Sequence, residues 1–369
     1  MSQRTDLTPQ RNPAAAPARS AAARPAMVEH LEPRRFLSAA LKVDNLDVLP
    51  GFERMIFNRI RNINVDKPNY VKDRGTLRLT NTGDQTLRFG TAKIVGPFQI
   101  LGMAPLAIPA GKSVTVTVLF TATAPPKFTY NQTNSTTNAR DAGAYIGSMS
   151  FATNDPANPT YTEELAGWFQ NDSERNEEPN LQTQVNLLAN FKTQIAAGQT
   201  VTLGQPATSA QYYGEEVVSA YWTAANASKS VGVRQLSKFR SQGDITRFAY
   251  FLKSDKVVHN VLASAGLAGQ SFLPYKDASP TTTAAATTFS VGSAPFGFKI
   301  DSEYSVDSLN ANQNGGGHTL RFFPVRDHLG NLLDNTYFVC MDYSVDPKSQ
   351  NFDFQDNVFI LTNIKPAGN

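Results

Sequence analysis

The sequence predicts an all-β protein of two β-sandwich domains, an immunoglobulin-like one followed by a larger, jelly-roll-like one. Short runs of aromatic and β-branched residues recur along most of the chain, as expected for strands. Turn-forming clusters such as Asn81–Asp84 and Ile108–Lys112 separate these runs at intervals typical of a sandwich. Since Cys340 is the only cysteine, no intramolecular disulfide can form, and the core must come from sheet packing.

Residues 1–40 are expected to form a disordered tail. Residues 1–27 are rich in Ala, Pro, Arg and Gln, which bury too little apolar surface to fold, and they lack the apolar segment of a secretory signal. The next stretch, VEHLEPRRFLSA, resembles the LEPR-type sorting segment of planctomycete extracellular proteins. The resemblance implies export to an extracellular or cell-surface location. Its residues are Leu31, Glu32, Pro33, Arg34, Phe36, Leu37 and Ser38.

The charge distribution argues against a nucleic-acid partner. The chain has 34 basic and 31 acidic residues, and residues 1–40 contain six of the basic and three of the acidic ones, which leaves 28 of each in the rest. A nucleic-acid-binding domain usually has a basic excess on one face. The sequence also has no apolar run long enough for a transmembrane helix.

The first folded domain is predicted at 41–170. Its segment Val114–Phe120 alternates Val and Phe with Thr and Leu, as expected for a half-buried strand. The stretches LRLTNTGDQTLRFG, IPAGKSVTVTVLF and GSMSFATNDP resemble the bacterial immunoglobulin-like modules called choice-of-anchor or spindle-hydin-like domains. The resemblance implies a spacer or adhesion module without a catalytic set.

A linker and a second domain are predicted next. The polar, acidic segment Asn171–Asn180 contains Pro179 and favours an interdomain linker at 171–190. The second domain is predicted at 191–369. Its stretches GQSFLP, PFGFKIDSEYSVDSLN, HTLRFFPVRDHLGN and TYFVCMDYSVDPKSQNFDFQDNVFILTNIKP resemble a β-sandwich of large secreted and surface proteins of planctomycete-type bacteria. This resemblance implies fold and location more than mechanism.

The acidic residues of the second domain predict a calcium site. Two strand-like runs, Tyr337–Val345 and Val358–Ile364, flank a loop rich in Asp and Asn, whose side-chain oxygens suit a hard cation. Upstream, the residues 301, 303 and 307 are acidic and are expected on one face of a strand that continues Phe296–Ile300. The candidate Ca2+ ligands are Asp301, Glu303, Asp342, Asp353, Asp356 and Asn357.

Two alternatives to a cation are open. Carboxylates along one face repel each other unless a cation or an arginine neutralises their charge. Arg321 and Arg326 are the expected arginine partners. Asp and Asn are also common turn formers.

Catalysis is not expected. The motifs HExxH, GxSxG, GxxxxGK[ST] and GxGxxG are all missing from the sequence. Cys340 could pair with His318 or His328 as a nucleophile, but a cysteine in the middle of a strand usually behaves as a small buried hydrophobe.

The sequence therefore predicts a non-catalytic, exported cell-surface or matrix protein with a structural or adhesive role, stabilised by Ca2+. Its expected partners are other surface proteins or glycans. The alternative function is a carbohydrate-binding module, or an accessory part of a glycan-degrading system. It rests on aromatic side chains that could stack on sugar rings, namely Tyr212, Tyr213, Tyr221 and Trp222.

Overall fold

The structure of the protein is a computed structural model. It describes residues 38–47, 49, 54–62, 71–101, 107–126, 142–173, 177–195, 214–240, 243–277, 283–344 and 350–368. The chain divides into the units 1–36 and 37–369, and all described residues belong to the second. Of the predicted tail and sorting segment, only Ser38 and the two residues that follow it lie within the described ranges.

The first half of the described chain forms one β-sandwich. One of its sheets has the order β1-β3-β8-β6 and the other β2-β10-β9-β5, with β4 and β7 as a separate pair. Strand β10 runs parallel to β2, and the other pairs are antiparallel. The strands are β1 (Leu41–Asn45), β2 (Met55–Asn62), β3 (Arg74–Asn81), β4 (Leu87–Arg88), β5 (Lys93–Val95), β6 (Phe98–Leu101), β7 (Ala107–Ile108), β8 (Ser113–Phe120), β9 (Ala142–Ala152) and β10 (Thr160–Asp172).

The alternation in β8 explains how the two sheets pack. Val116, Val118 and Phe120 are buried, whereas Thr117 and Leu119 between them are less covered. The Phe120 ring lies against Gly167 of β10, where a Cβ atom would clash with it. A glycine is therefore required at this close approach between the sheets.

The second half of the described chain forms a larger sandwich. One sheet has the order β14-β13-β17-β11-β22 with β18 beside β17, and the other has the order β15-β12-β21-β20-β19 with β16 beside β12. The strands are β11 (Trp222–Ala224), β12 (Val231–Phe239), β13 (Thr246–Leu252), β14 (Val258–Ser264), β15 (Gln270–Phe272), β16 (Ala286–Phe289), β17 (Phe296–Ile300), β18 (Glu303–Tyr304), β19 (Leu320–Arg326), β20 (Leu332–Met341), β21 (Asn357–Thr362) and β22 (Ile364–Pro366).

The end of β20, from Phe338 to Met341, and most of β21 are covered on both faces, which explains their continuous apolar sequences. Phe338 and Cys340 of β20 contact one hydrophobic cluster, whereas Val339 and Met341 contact another on the opposite face. A strand buried on both sides has no reason to alternate apolar and polar residues. The prediction that Cys340 is a buried strand residue is confirmed, since its side chain is completely buried.

The segment between the sandwiches is packed. In this segment, Thr183–Leu188 forms a short helix. Further helical turns lie in the second sandwich, at Gly266–Ala268, Asp307–Leu309 and Asn314–Gly317. Leu181, Val185, Leu188 and Phe191 are fully buried, at the spacing of one face of a helix.

These four residues belong to one core cluster with Trp168 of the first sandwich and Phe338 of the second. Within the predicted linker, Asn171 and Asp172 end β10, and residues 177–190 contribute to a core layer whose apolar face follows that polar start. The all-β, β-sandwich fold class is confirmed, whereas the domain boundaries stay predictions.

Candidate metal centre

Three of the predicted metal ligands meet at one point. Asp342 directly follows β20, and Asp356 directly precedes β21. Because Met341 and Asn357 are paired in the antiparallel register of these strands, the two ends of the loop between them lie side by side. One carboxylate oxygen from each of Asp342, Asp353 and Asp356 lies within 4.8 Å of the other two. We call these three residues the aspartate triad.

The loop backbone turns Asp353 inward. Its neighbours Phe352 and Phe354 both adopt left-handed backbone conformations, with φ of 58° and 54°. A non-glycine residue in this region costs about 1–3 kcal/mol, so surrounding contacts must hold it there. Phe354 is buried in the core with the Arg321 guanidinium 4.4 Å above its ring, and the Phe352 ring packs against Gly315.

Several described residues donate hydrogen bonds to the triad, among them the Gln350 side chain to Asp342. An Asp342 carboxylate oxygen accepts a hydrogen bond from the Phe352 amide at 3.2 Å, and Asp356 accepts one from the Tyr343 amide at 3.1 Å. Asp353 accepts one bond from the Asn351 side chain at 2.6 Å and one from the Gln355 amide at 3.3 Å.

The electrostatics of the triad oppose three negative charges. Burial raises the pKa of Asp342 and of Asp356 well above the usual range, and the neighbouring triad carboxylates raise each further. Burial also raises the pKa of Asp353, to about 6. Arg240 lowers the pKa of Asp356 but does not outweigh these effects. A bound divalent cation would remove the repulsion, and the all-oxygen donor set fits Ca2+ rather than a metal that prefers sulfur or nitrogen ligands.

The other three predicted ligands are held by protein partners. Asp301 forms an ion pair with Arg240 at 2.6 Å. Glu303 is buried and accepts a hydrogen bond from the Ser344 hydroxyl at 2.6 Å. Asn357 donates to the Tyr343 hydroxyl at 3.1 Å. Neither Asp301 nor Glu303 belongs to the group of carboxylates that meet within 4.8 Å.

Two local predictions are wrong. Strand β17 ends at Ile300, because Asp301 has a left-handed φ of 50° and turns the chain back to pair β18 with β17. The acidic residues at 301, 303 and 307 therefore do not share one strand. The ion pairs of the two expected arginines are with other residues, since Arg321 pairs with Glu216 and Arg326 pairs with Glu215.

A network of charged side chains around His318 was not predicted from the sequence. His318 lies between two carboxylates, with Nδ1 3.0 Å from Asp307 and Nε2 2.8 Å from Glu216. Arg321 reaches the other Glu216 oxygen at 2.5 Å. Burial alone would lower the pKa of His318, but the hydrogen bonds that its ring donates to Asp307 and Glu216, together with their negative charges, raise it to about 9. Glu216 is 102 positions from His318 and Asp307 is 11 positions from it, so local sequence patterns do not reveal the network.

The side chains considered for catalysis and sugar stacking occupy other roles. Burial raises the pKa of the Cys340 thiol well above its usual range. Trp222 is fully buried, with its ring 4.6 Å from that of Phe322, so it offers no face for a sugar. Tyr221 packs edge-on against Phe251. Tyr212 and Tyr213 lie outside the described residues.

In the part of the chain that the structure describes, no helix has the length and apolar character needed to cross a membrane.

Comparison with known proteins gives distant structural likenesses only. No protein-family model and no curated protein matches the sequence. A protein of unknown function from Porphyromonas gingivalis W83 matches 35% of this chain and 46% of its own length, at 11% identity and a TM-score of 0.21. The YadV chaperone matches 79% of this chain and 96% of its own, at 10% identity and a TM-score of 0.23.

A third likeness is the ASH/PapD-like domain 7 of human CEP192, which matches 40% of this chain and 97% of its own, at 11% identity and a TM-score of 0.21. The chain is thus distantly similar in structure to PapD-like and immunoglobulin-like sandwiches. Likenesses at these scores carry no inference about activity or partners.

Proposed function

We propose that the protein is a non-catalytic, exported cell-surface or matrix protein whose second sandwich is stabilised by Ca2+ at the aspartate triad. The observation that carries this proposal is the meeting of Asp342, Asp353 and Asp356, two of them buried and one half-buried, within 4.8 Å. Three such carboxylates need protons or a cation, and Ca2+ prefers carboxylate oxygens.

The role of the cation is structural. The triad lies at the ends of β20 and β21, the two strands whose faces both contribute to the core. A cation there would tie the loop at 342–356 to the sheet. Because two of its three carboxylates are buried, the triad has the character of a stabilising site, and we assign it no substrate.

Export is supported by the resemblance of the stretch at 28–39 to LEPR-type sorting segments. Extracellular fluids supply Ca2+ at concentrations that even weak sites fill, which is consistent with a calcium-stabilised surface protein. The partners would be other surface proteins or glycans. The carbohydrate-binding alternative gains no support from Trp222, which is fully buried.

The test of the structural role is the melting temperature of the full chain with excess Ca2+ and with a chelator. A ligand that binds only the native state at about a hundred times its Kd adds roughly 2.7 kcal/mol. We expect a clear upward shift for the wild type and none for Asp356→Ala. Asp334→Asn changes an exposed carboxylate of the same sandwich and should shift like the wild type. Equal melting with Ca2+ and chelator would refute the cation.

Export is tested separately by fusing residues 1–40 to a reporter in a planctomycete host. We expect the reporter outside the cytoplasm, and retention when Glu32, Pro33 and Arg34 are all changed to Ala. Retention of the unchanged fusion would contradict the sorting assignment without affecting the triad.

A further inference from the structure

A cleft of about 650 Å3 lies between the two sandwiches, away from the aspartate triad. Its described lining from the first sandwich includes Asp47, Lys72 and Arg74, and its lining from the second includes Arg234 and Phe272. This volume falls in the range of about 300–1,000 Å3 that small-molecule sites occupy.

Arg234 is the unusual side chain of this cleft. The residue is 8% exposed, so its guanidinium is withdrawn from bulk water. Its two Nη atoms lie 3.5 Å from the Pro274 carbonyl and 3.4 Å from the Asp47 carbonyl, at the outer limit of a hydrogen bond. Its Nε atom has no hydrogen-bond partner among the described residues.

The nearby carboxylate does not neutralise Arg234. One oxygen of Asp47 is taken by Lys72 at 2.5 Å, and the other, Oδ2, is buried without a hydrogen-bond partner in the described structure. Within the described residues, the cleft therefore contains one donor, Arg234 Nε, and one acceptor, Asp47 Oδ2, that have no hydrogen-bond partner, and the two Nη atoms make only long bonds. Burying a charge or a polar group in this way costs free energy unless something pairs with it. Burial lowers the pKa of Arg234 to about 10, and the negative charge of Asp47 raises it without outweighing burial.

The donors and the acceptor together define a ligand class. The planar fork of an arginine matches the two oxygens of a carboxylate, and charge-assisted bonds of this kind are stronger than neutral ones. A buried carboxylate oxygen such as Asp47 Oδ2 requires a donor, which a ligand hydroxyl provides. Lys72 and Arg74 also line the cleft, but Lys72 pairs with Asp47 and Arg74 lies 3.6 Å from Asp73, so the positive charge offered to an anion is that of Arg234.

We propose that this cleft binds a small hydroxylated organic carboxylate, such as a sugar acid, with Arg234 holding the carboxylate and Asp47 accepting from a hydroxyl. The proposal uses none of the triad residues and does not depend on Ca2+. It makes the contact region between the sandwiches a binding site.

The test is the thermal melting of the full chain in chelator with sodium galacturonate, galactose, sodium acetate or sodium phosphate, at matched ionic strength. We expect galacturonate to raise the melting temperature of the wild type in a saturable manner, and acetate to do so more weakly. Galactose, which has the hydroxyls without the carboxylate, should have no effect. This comparison needs no variant, so it stands even if a substitution impairs folding.

Arg234→Lys keeps the charge but loses the planar fork, and should weaken the galacturonate response at least about tenfold. Arg78→Lys, on the exposed face of β3, is the matched control and should respond like the wild type. The proposal is overturned if galacturonate has no effect, if phosphate alone acts, or if Arg234→Lys responds like the wild type.

Discussion

Replacing Asp353 by Asn should have opposite effects with and without Ca2+. The pKa of Asp353 rises from 3.8 to about 6 because the carboxylate is buried. In the unfolded chain the group loses its proton near pH 4, whereas in the folded protein it keeps the proton until about pH 6. As pH rises through this window without a cation, the folded state therefore loses stability relative to the unfolded state.

The size of this loss follows from the shift. About two pKa units at about 1.4 kcal/mol per unit give roughly 3 kcal/mol, fully developed above pH 6. Asn carries no charge at any pH, so Asp353→Asn avoids the loss. The quantity to compare in chelator is the free energy of unfolding of the variant minus that of the wild type. We expect this difference to be larger at pH 7.5 than at pH 4, by up to about 3 kcal/mol.

Excess Ca2+ should reverse the order of the two proteins at pH 7.5, because the wild type gains binding energy that the variant has lost. The assay is urea unfolding at pH 4 and pH 7.5, each with Ca2+ and with chelator. Asp334→Asn, an exposed substitution in the same sandwich, should show neither effect. The reasoning fails if the stability difference between Asp353→Asn and the wild type is the same at both pH values and in both media.

Other predictions follow from the neighbouring contacts. Because the pKa of His318 is raised to about 9 from 6.5, its stabilising contribution is complete below pH 6.5 and should be lost as pH rises to 9. The expected loss in the free energy of unfolding is about 3 kcal/mol, and urea unfolding of His318→Gln should not show it. Glu216→Gln breaks the buried pairs with His318 and Arg321 and should destabilise by about 3–5 kcal/mol in urea unfolding; a loss under 1 kcal/mol would contradict the role of the network. Phe354→Ala should cost about 3–5 kcal/mol and weaken Ca2+ binding, measured by calorimetry, because the loop loses its anchor. Cys340 should resist thiol reagents until the protein unfolds, and labelling at the rate of a free thiol would show that it is accessible.

The strands were predictable from sequence because their signal is local. The alternation in Val114–Phe120 matches the half-buried β8. The continuous apolar runs near the chain end match β20 and β21, although their cause, burial on two faces, becomes visible only in the fold. The short helix Thr183–Leu188 lies in the segment predicted as a linker, and its packing against both sandwiches is visible only in the fold.

The candidate site was predictable in part. The triad comes from a single loop, so the residues that close it are near in sequence and the antiparallel pairing of β20 with β21 brings them together. Asp301 was misassigned because its partner, Arg240, lies 61 residues away and its turn depends on a left-handed backbone. The contact of Glu216 with His318 spans 102 residues and that of Arg234 with Asp47 spans 187, and single-sequence patterns contain no signal for such pairs.

The most direct measurement is a calorimetric titration of Ca2+ into the chelator-treated full chain at pH 6, in two buffers with different ionisation heats. The account predicts one bound ion per chain and a release of protons, because the cation displaces them from carboxylates with raised pKa values. The variant with all three triad aspartates changed to Asn should bind none. Equal binding by this variant, or no binding by the wild type, would contradict the claim that the aspartate triad holds a cation.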